Sequence, residues 1–443
     1  MADLDSSTPQ DPPHTPNPPG PSGQADSEKQ RAVPSPLDSF EGEVGPLSPF
    51  RVPQFCWVFV TGMLAASANW MLSLSVPFLV YEMTNSEALL GVAAVASNAP
   101  ALIASPLGGV WADRYSRKGV LRMALLAQCV IGAALFWMSR AGTLDLYPLL
   151  ALSTAMGFAS SVNLSAYQPI VSEIVPERLI APAYRLNAIQ FNLSRAIGPA
   201  VAGFVLAGWG ATAAFFINAV SYLPLIAVLS FVVTRSQPAR PPTSVLSDLL
   251  EGARVSWDQP ALRLALIAVT FTALFGMSVQ PLMAGLAKDV FHVAEAGLGT
   301  LVASIGVSAA ITSIVTAGMG DRIRRSVLIR LGLFLYGVGF LVVASSDDFN
   351  RAILGFVIVG FAHVLVNVSV TTAIQLVVTE ELRGRVTSLQ LMGIIVSMPI
   401  GAQIGGLIGE WTGLSFVVAL FGGALIGFAG IAHWRLGGLR DLD

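Results

Sequence analysis

Residues 109–122 read GVWADRYSRKGVLR and place five charged side chains between two long apolar runs. These runs cover about residues 88–111 and 119–140. Each is close to the ~20 residues that cross the hydrocarbon core of a bilayer as a helix. Because a loop with this density of charge must lie in water, the stretch predicts a short polar turn that joins two transmembrane helices.

The whole chain has the composition of a polytopic membrane protein. Of its 443 residues, 54% are hydrophobic and only 12% are charged, whereas soluble domains carry about 25% charged residues. The mean hydropathy is +0.68. We therefore predict an all-α membrane protein with twelve transmembrane helices. The predicted segments are 54–82, 88–111, 119–140, 145–172, 181–207, 212–234, 262–289, 296–319, 327–346, 350–379, 385–409 and 413–434.

The composition also excludes several classes of function. A net charge of −2 without a basic run argues against a nucleic-acid partner. No dinucleotide fingerprint, phosphate-binding loop, metal-binding histidine pair or nucleophile motif occurs in a plausible context, so we expect no enzyme, no cofactor and no metal. The two cysteines, Cys56 and Cys129, both lie in apolar runs and offer no disulfide framework.

Three polar stretches divide the chain. Residues 1–50 hold eleven of the 27 prolines and few large apolar residues, which predicts a disordered cytoplasmic tail. Residues 235–261 form a linker in which apolar residues such as Leu250 and Trp257 recur at helical spacing, so we expect an amphipathic helix on the membrane surface. The linker separates two six-helix bundles, 51–234 and 262–435, and residues 436–443 form a second cytoplasmic tail.

The distribution of Lys and Arg predicts the orientation in the membrane. With the loops drawn between the segments above, eighteen of these residues fall on one side and three on the other. Cytoplasmic loops carry an excess of Lys and Arg, so both chain ends are predicted to be cytoplasmic.

The two halves of the chain repeat each other. A shift of 208 residues aligns the two Asp-Arg loops, and a shift of 203 aligns the fifth and eleventh segments. Two six-helix units of one orientation are what a transporter needs to expose a central site to alternate sides of the membrane. The aligned pairs include Asp113 with Asp321, Arg114 with Arg322, Gly91 with Gly299, Ser194 with Ser397, Gly198 with Gly401 and Gly203 with Gly406.

The charged loop, with Gly109, Asp113, Arg114, Arg117 and Lys118, resembles the signature loop between the second and third helices of the major facilitator superfamily. It has Ser116 where that family usually has glycine. Residues 76–114 and 169–203 look like the bacterial branch that includes the enterobactin exporter and macrolide efflux proteins. The resemblance implies two pseudo-symmetric bundles, the major facilitator fold.

The resemblance also implies a gate at the cytoplasmic side. The family's loop acid, here Asp113, binds the start of the eleventh helix near Arg385 and holds that side closed, where helix dipoles favour negative charge. The alternative is a local ion pair in a solvated loop, which stabilises little. The gating candidates are Asp113, Arg114, Arg117, Lys118, Asp321, Arg322 and Arg385.

In the fifth segment, Ser194, Gly198, Pro199 and Gly203 resemble the Gly-Pro antiporter motif of exporting branches. Small residues at this spacing also allow close helix packing, and that interpretation is equally open. Arg195 lies near the middle of the same segment, where a charge costs at least ~2.5 kcal/mol on insertion scales. It predicts a functional cavity, or else a structural brace.

Further polar residues fall on segments that line the cavity in the resembled family. Taken one by one, such residues more often join helices than bind a ligand. The candidates for the substrate cavity are Asn69, Asn163, Asn187, Gln190, Arg195, Gln280, His363, Asn367 and Gln390.

We expect a monomeric secondary transporter of the bacterial cytoplasmic membrane, surrounded by lipid, that exports an organic small molecule. Its coupling is open: no acid lies at mid-membrane, so His363, Glu173 or Asp113 would carry a proton, or transport is facilitated. Uptake, lysophospholipid flipping and a non-transporting receptor or scaffold are the alternatives.

Overall fold

The structure is a computed structural model that describes residues 44–235, 245–293, 295–319, 324–345 and 347–435. Within these ranges the chain is helical and contains no β-strand. The helices are α1 Pro53–Thr84, α2 Glu87–Asn98, α3 Ala101–Arg114, α4 Arg117–Ala141, α5 Leu146–Glu173, α6 Ile180–Phe231, α7 Val245–Asp258, α8 Pro260–Thr272, α9 Val279–Gly285, α10 Glu295–Met319, α11 Arg325–Ala344, α12 Phe349–Val377, α13 Glu380–Thr412 and α14 Leu414–Arg435.

Eleven helical stretches of the described chain are long and apolar enough to cross a membrane. One of them, Glu177–Phe231, has 55 residues. At 1.5 Å per residue it would be about 80 Å long, far more than the ~30 Å hydrocarbon core. It is broken at Gly210 (φ 73°, ψ 178°), a backbone conformation that glycine adopts readily. Its two arms, 180–209 and 211–231, therefore make two crossings, and the predicted all-α membrane fold is confirmed.

The charged loop within residues 109–122 is a tight turn between α3 and α4. Ser116 is the N-cap of α4, and its hydroxyl accepts a hydrogen bond from the Gly119 amide at 3.3 Å. A serine at this position satisfies one of the free amides that begin a helix. The departure from the glycine of the resembled loop thus has a local structural role.

Successive crossings run in opposite directions, with α2 and α3 forming one crossing and α8 and α9 another, so the molecule has two faces. We name the basic face after Arg114, Arg117 and Arg385, near the ends of α3 and the starts of α4 and α13. The acidic face is named after Glu82, Glu87, Asp289 and Glu410, at the opposite ends of the crossings.

The segment just before α1 is folded. Ser48–Arg51 form a 3₁₀ turn in which Ser48 is buried, and the ring of Phe50 packs edge-on to Phe59 with centroids 5.0 Å apart. Pro49 is buried as well, whereas Val44 and Leu47 are exposed, so only the end of the predicted tail, 1–50, packs on α1. Residues 1–43 lie outside the described part of the chain.

The linker contains the predicted helix, α7, which packs on the start of α13. The backbone of Gly252 lies so close to Arg385 that a Cβ would be 2.9 Å from its carbonyl oxygen. The carboxylate of Glu251 accepts a hydrogen bond from Arg385 Nη1 at 2.5 Å. Leu250 and Trp257 are 63% and 67% exposed, so they lie away from this contact. Residues 236–244 and 436–443 lie outside the described ranges.

The two halves of the chain meet through helices that the internal repeat relates. α2 packs on α13, and the first arm of α6 packs on α10. At the second crossing, a Cβ on Gly203 would lie 2.2 Å from Gly299 Cα. At the first, a Cβ on Gly91 would lie 2.5 Å from Gln403 Cα. Backbones can approach this closely only where the residue has no side chain.

The paired glycines predicted from the repeat thus lie at equivalent contacts. Gly91 aligns with Gly299 and Gly203 with Gly406, and a Cβ on Gly406 would lie 2.3 Å from the Glu87 carbonyl oxygen. All four lie in the half of the molecule toward the acidic face. On the other side of the centre, α13 packs less extensively against α3 than it does against α2.

Candidate functional site

The centre of the molecule holds Arg195, halfway along the first arm of α6. Its Nη2 lies 3.2 Å from Nε2 of His363, the middle residue of α12. Its Cζ lies 5.6 Å from the ring centroid of Trp70 on α1, a distance at which a cation is attracted to the ring. Arg195 is partly exposed and His363 is 8% exposed. The arginine of the first half thus contacts the histidine of the second.

Two polar side chains contact the ring of His363. A guanidinium has only donors, so Nε2 of His363 accepts from Arg195. Asn367 Nδ2 lies 3.3 Å from Nδ1 of the same ring and donates a hydrogen bond to the His363 carbonyl oxygen at 3.1 Å. Asn367 therefore orients the histidine that binds Arg195.

A cavity of about 30 Å³ opens beside this pair, between the two halves. Three of the predicted cavity residues, Arg195, Gln280 and His363, line it together. Its remaining lining residues come from the second half of the chain. They are Gly276, Met277, Val279, Met283, Ile305, Tyr336, Phe340, Phe356 and Val359.

A π-helical turn, Ala273–Met277, between α8 and α9 brings Gly276 and Met277 to this cavity. Such turns interrupt the α-helical hydrogen bonds and occur frequently at functional sites. The backbone of Gly401 packs against the Leu274 carbonyl, and a Cβ there would lie only 1.8 Å from it. This glycine, the repeat partner of Gly198, therefore lets α13 pack against the turn.

Two other predicted cavity residues join helices of the first half. Ser160 donates to Asn69 Oδ1 at 3.0 Å, and Asn163 donates to Gln128 Oε1 at 2.7 Å. Gln128 in turn donates to Ser160 at 3.2 Å. This chain of hydrogen bonds connects α1, α4 and α5.

Three more of the predicted residues contact a neighbouring helix of their own half. Tyr167 on α5 donates to Gln190 Oε1 at 3.2 Å, and Asn187 donates to Gln168 on α5 at 3.3 Å. In the second half, Gln390 donates to the hydroxyl of Thr371 on α12 at 3.2 Å. All three predicted residues are at most 6% exposed.

The residues of the fifth-segment motif lie at helix contacts. Ser194 donates to the Met63 carbonyl at 3.2 Å, and a Cβ on Gly198 would lie 2.4 Å from the Ser67 carbonyl oxygen. Both contacts hold α6 against α1. Gly203, as described above, holds α6 against α10, and Pro199 lies inside α6 between these contacts.

At the basic face, two of the predicted gating residues bind groups of their own half. Arg117 forms an ion pair with Glu173 at 2.7 Å, and Lys118 donates to the Val232 carbonyl, at the end of the second arm of α6, at 2.7 Å. Arg114 is exposed. Cations near a helix C-terminus complement its dipole.

Of the remaining gating candidates, the structure describes the side chain of one. Arg385 binds Glu251 of the linker helix. The side chain of Asp113, together with Asp321 and Arg322, lies outside the part of the chain that the structure describes, so the predicted latch at the basic face stays a prediction.

At the acidic face, a carboxylate of the second half binds the start of α2. Glu410 Oε2 accepts from the Ser86 hydroxyl and from the Ala88 amide, each at 3.0 Å. Ser86 is the N-cap of α2, and its hydroxyl also accepts from the Leu89 amide at 3.3 Å. Free amides and a positive dipole end make a helix N-terminus a favourable place for a carboxylate.

Further contacts across the acidic face connect α1 with the end of the α8–α9 crossing. Tyr81 donates to Asp289, and Lys288 donates to Asn85 Oδ1 at 2.6 Å. A cavity of about 240 Å³ lies beside these contacts, and Phe78, Tyr81 and Lys288 form part of its lining. We refer to the contacts of Tyr81, Asn85, Ser86, Ala88, Lys288, Asp289 and Glu410 as the acidic-face cluster.

Sequence reasoning missed both this cluster and the aromatic wall of the central cavity. The available signal for the cluster was a set of acids at helix ends, with a serine N-cap between α1 and α2. The wall residues Tyr336, Phe340 and Phe356 carried no signal, because an aromatic residue in a membrane helix faces lipid or protein according to the helix rotation.

Comparison with known proteins identifies the family of the chain. Residues 44–441 match the model of a major facilitator family described as "transmembrane secretion effector". The chain is 23% identical to the multidrug efflux pump Tap of Mycobacterium tuberculosis, covering 89% of this chain and 95% of Tap. It is 26% identical to the enterobactin exporter EntS of Escherichia coli, covering 80% and 85% of the two chains. With the uncharacterised transporter YfiS of Bacillus subtilis it shares 28% identity over 74% and 79%.

Solved transporters share the fold. The structure of the nucleoside transporter NupG superposes with a TM-score of 0.66 at 15% identity, over 86% of this chain and 98% of that chain. A bacterial homologue of the human lysosomal transporter Spinster, in an inward-facing and unoccupied conformation, superposes with a TM-score of 0.64 at 13% identity, over 90% and 98%. The chain is thus a multi-pass membrane transporter, and it belongs to the transmembrane secretion effector family of the major facilitator superfamily.

Proposed function

We propose that this protein exports an organic small molecule across the bacterial cytoplasmic membrane by alternating access. The observation that carries the proposal is the asymmetric contact between the halves. The glycine crossings and the acidic-face cluster close the molecule toward one face, while α13 packs less on α3 toward the other. In this proposal the structure is the state that accepts substrate from the basic face.

Two observations support transport out of the cytoplasm. The excess of Lys and Arg makes the basic face cytoplasmic, so the state described here receives substrate from the cytoplasm. Two relatives are named for export, one as a multidrug efflux pump and one as an enterobactin exporter. Export then requires the acidic-face cluster to open and the basic face to close.

The central cavity supports transport in preference to a receptor or scaffold. Its polar residues come from both halves, Arg195 from the first and Gln280 and His363 from the second. A rocking motion of the halves would make and break the contact between Arg195 and His363. A mid-membrane charge costs free energy, so a charged residue there is by default a candidate for a functional site.

The test is efflux of candidate siderophores and macrolides from cells and from proteoliposomes, with and without a pH gradient. Export above that of empty membranes, reduced in Arg195→Ala, supports the proposal. Net movement toward the cytoplasm would instead indicate uptake, and lysophospholipid movement between leaflets would indicate a flippase.

A second measurement addresses the mechanism. Single cysteines along α6 and α10 are labelled with an impermeant thiol reagent from each side of the membrane. Alternating access predicts that positions near Arg195 react from both sides in turn, with ratios that change when substrate is added. Reactivity from one side alone under every condition would refute transport by this mechanism.

A further inference from the structure

We propose that the exported compound carries an anionic group, a carboxylate, sulfonate or phosphate, which binds Arg195 in the central cavity. The inference rests on the proposed export function and names its substrate class. Arg195 carries a positive charge that no acid of the described chain neutralises.

The described acidic side chains lie at the ends of the crossings. Glu87, Asp289 and Glu410 are at the acidic face, and Glu173 is at the basic face, where it pairs with Arg117. Within the described residues, Arg195 therefore makes no ion pair. An arginine is always charged in proteins, so among the described residues the centre holds one positive charge without an acidic partner.

The protein contacts of Arg195 leave donors for a ligand. A guanidinium has five N–H donors, and among the residues the structure describes the hydrogen bond to His363 uses one of them. Trp70 lies against the charge but accepts no conventional hydrogen bond. The side chain is partly exposed, and it lines the cavity. A planar fork with free donors matches a carboxylate or a phosphate, to which it can bind through two parallel hydrogen bonds.

The rest of the cavity wall indicates the body of the ligand. Met277, Met283, Phe340 and Phe356 present thioether and aromatic surfaces beside the guanidinium. Aromatic and methionine side chains bind apolar and aromatic groups, and methionine adapts to different shapes. The ligand is therefore an amphipathic organic anion, with its charge at Arg195 and its apolar part against this wall.

The central cavity is too small to hold a whole ligand in this structure. Its volume of about 30 Å³ admits a group as small as a carboxylate and excludes a drug-sized body. The flexible side chains of Met277 and Met283 must move to admit the rest of the compound. An anion on Arg195 would also compete with His363 for the guanidinium, so binding would act on the contact that joins the halves.

Binding is tested on the purified full-length protein in detergent. The probes are benzoate, 2-naphthoate and 9-anthracenecarboxylate, each compared with its uncharged amide and with the corresponding methylamine. Tryptophan fluorescence and thermal stabilisation are measured for every member. We expect at least one carboxylate to bind about tenfold or more tightly than its amide and amine, the scale of a hydrogen bond to a charged group.

Variants identify the residue. Arg195→Gln should abolish the preference for the carboxylate, and Arg195→Lys should retain part of it, since it keeps the charge and loses the fork. Arg351→Gln, at an exposed position of the same helix as His363, is the matched control and should behave as the parent. The proposal is overturned if no carboxylate is preferred over its amide, or if the preference survives in Arg195→Gln.

Transport of the same probes separates this inference from the proposed function. Export that shows no preference for anions would overturn the substrate class and leave the transporter intact. Anion binding that depends on Arg195, without export of any probe or candidate substrate, would retain the site and count against the exporter.

Discussion

Gly203→Ala tests whether closure at the acidic face is one of two alternating states. In the structure, a Cβ at this position would lie 2.2 Å from Gly299 Cα, whereas ordinary contacts begin at 3.4 Å. The first arm of α6 and α10 must therefore move apart by about 1.2 Å or rotate. If these helices separate when the acidic face opens, the methyl group disfavours only the closed state.

The expected size follows from overpacking, which costs about 1–3 kcal/mol. Since 1.4 kcal/mol is a factor of ten, the population open at the acidic face should rise by about 5- to 140-fold, until it becomes the major state. The gain in helix propensity from glycine to alanine is present in both states, so it cancels from this ratio.

The assay measures labelling of a single cysteine from the acidic side. Met283 is fully buried and lines the central cavity, so Met283→Cys becomes reactive from that side only when the face opens. Cys56 and Cys129 are first replaced by alanine. An impermeant thiol reagent is added to sealed vesicles of known orientation, and the initial rate is compared with and without Gly203→Ala.

The matched control is Gly208→Ala on the same arm of α6, because a Cβ there meets no atom within 4 Å. It should leave the labelling rate unchanged, and both variants must remain folded and inserted. An unchanged rate in folded Gly203→Ala, or equal acceleration by Gly208→Ala, would refute the reasoning that this crossing is a gate.

Three further changes probe the contacts of the two faces. Glu410→Ala removes an acceptor of two hydrogen bonds across the acidic face, so the labelling of Met283→Cys from the acidic side should accelerate by up to about tenfold. Glu410→Gln should give a rate between those of the parent and Glu410→Ala. An unchanged rate would show that Glu410 is not part of the gate. Arg117→Ala removes the ion pair with the nearly buried carboxylate of Glu173 and should lower the free energy of unfolding by about 1–3 kcal/mol. Adding Glu173→Gln should restore part of that loss, and thermal melting of the purified variants measures both effects. The exposed pair of Arg385 with Glu251 should show a coupling free energy below about 1 kcal/mol in a double-mutant cycle, and a larger value would show that the linker helix is held by this ion pair.

The sequence alone could predict the fold because membrane insertion depends on local composition. A run of about 20 apolar residues must cross as a helix, whatever its partners, since lipid satisfies no backbone polar group. The segment around Gly210 is a clear case: two apolar runs and a short break predicted two crossings, and a glycine with positive φ separates them.

The candidate site was only partly open to prediction. Arg195 could be found because a charge within an apolar run is costly wherever it faces. Asn69 and His363 are both polar residues within apolar runs, so the sequence does not distinguish them. In the structure, Asn69 accepts a hydrogen bond from Ser160 of its own half, whereas His363 contacts Arg195 of the other half. Each polar residue can join helices or face a cavity, and the choice depends on how its helix is rotated and what it packs against.

Composition, repeats and charge distribution thus specify the twelve crossings, the duplicated halves and the mid-membrane arginine, because each follows from the cost of exposing polar groups to lipid. Two features needed the assembled chain: the cavity beside Arg195 and the acidic-face cluster. Both are built from residues more than 150 positions apart, such as Arg195 with His363 and Ser86 with Glu410. Contacts at this separation are set by the packing of backbones at glycine crossings, and no local pattern records which side chains that packing will bring together.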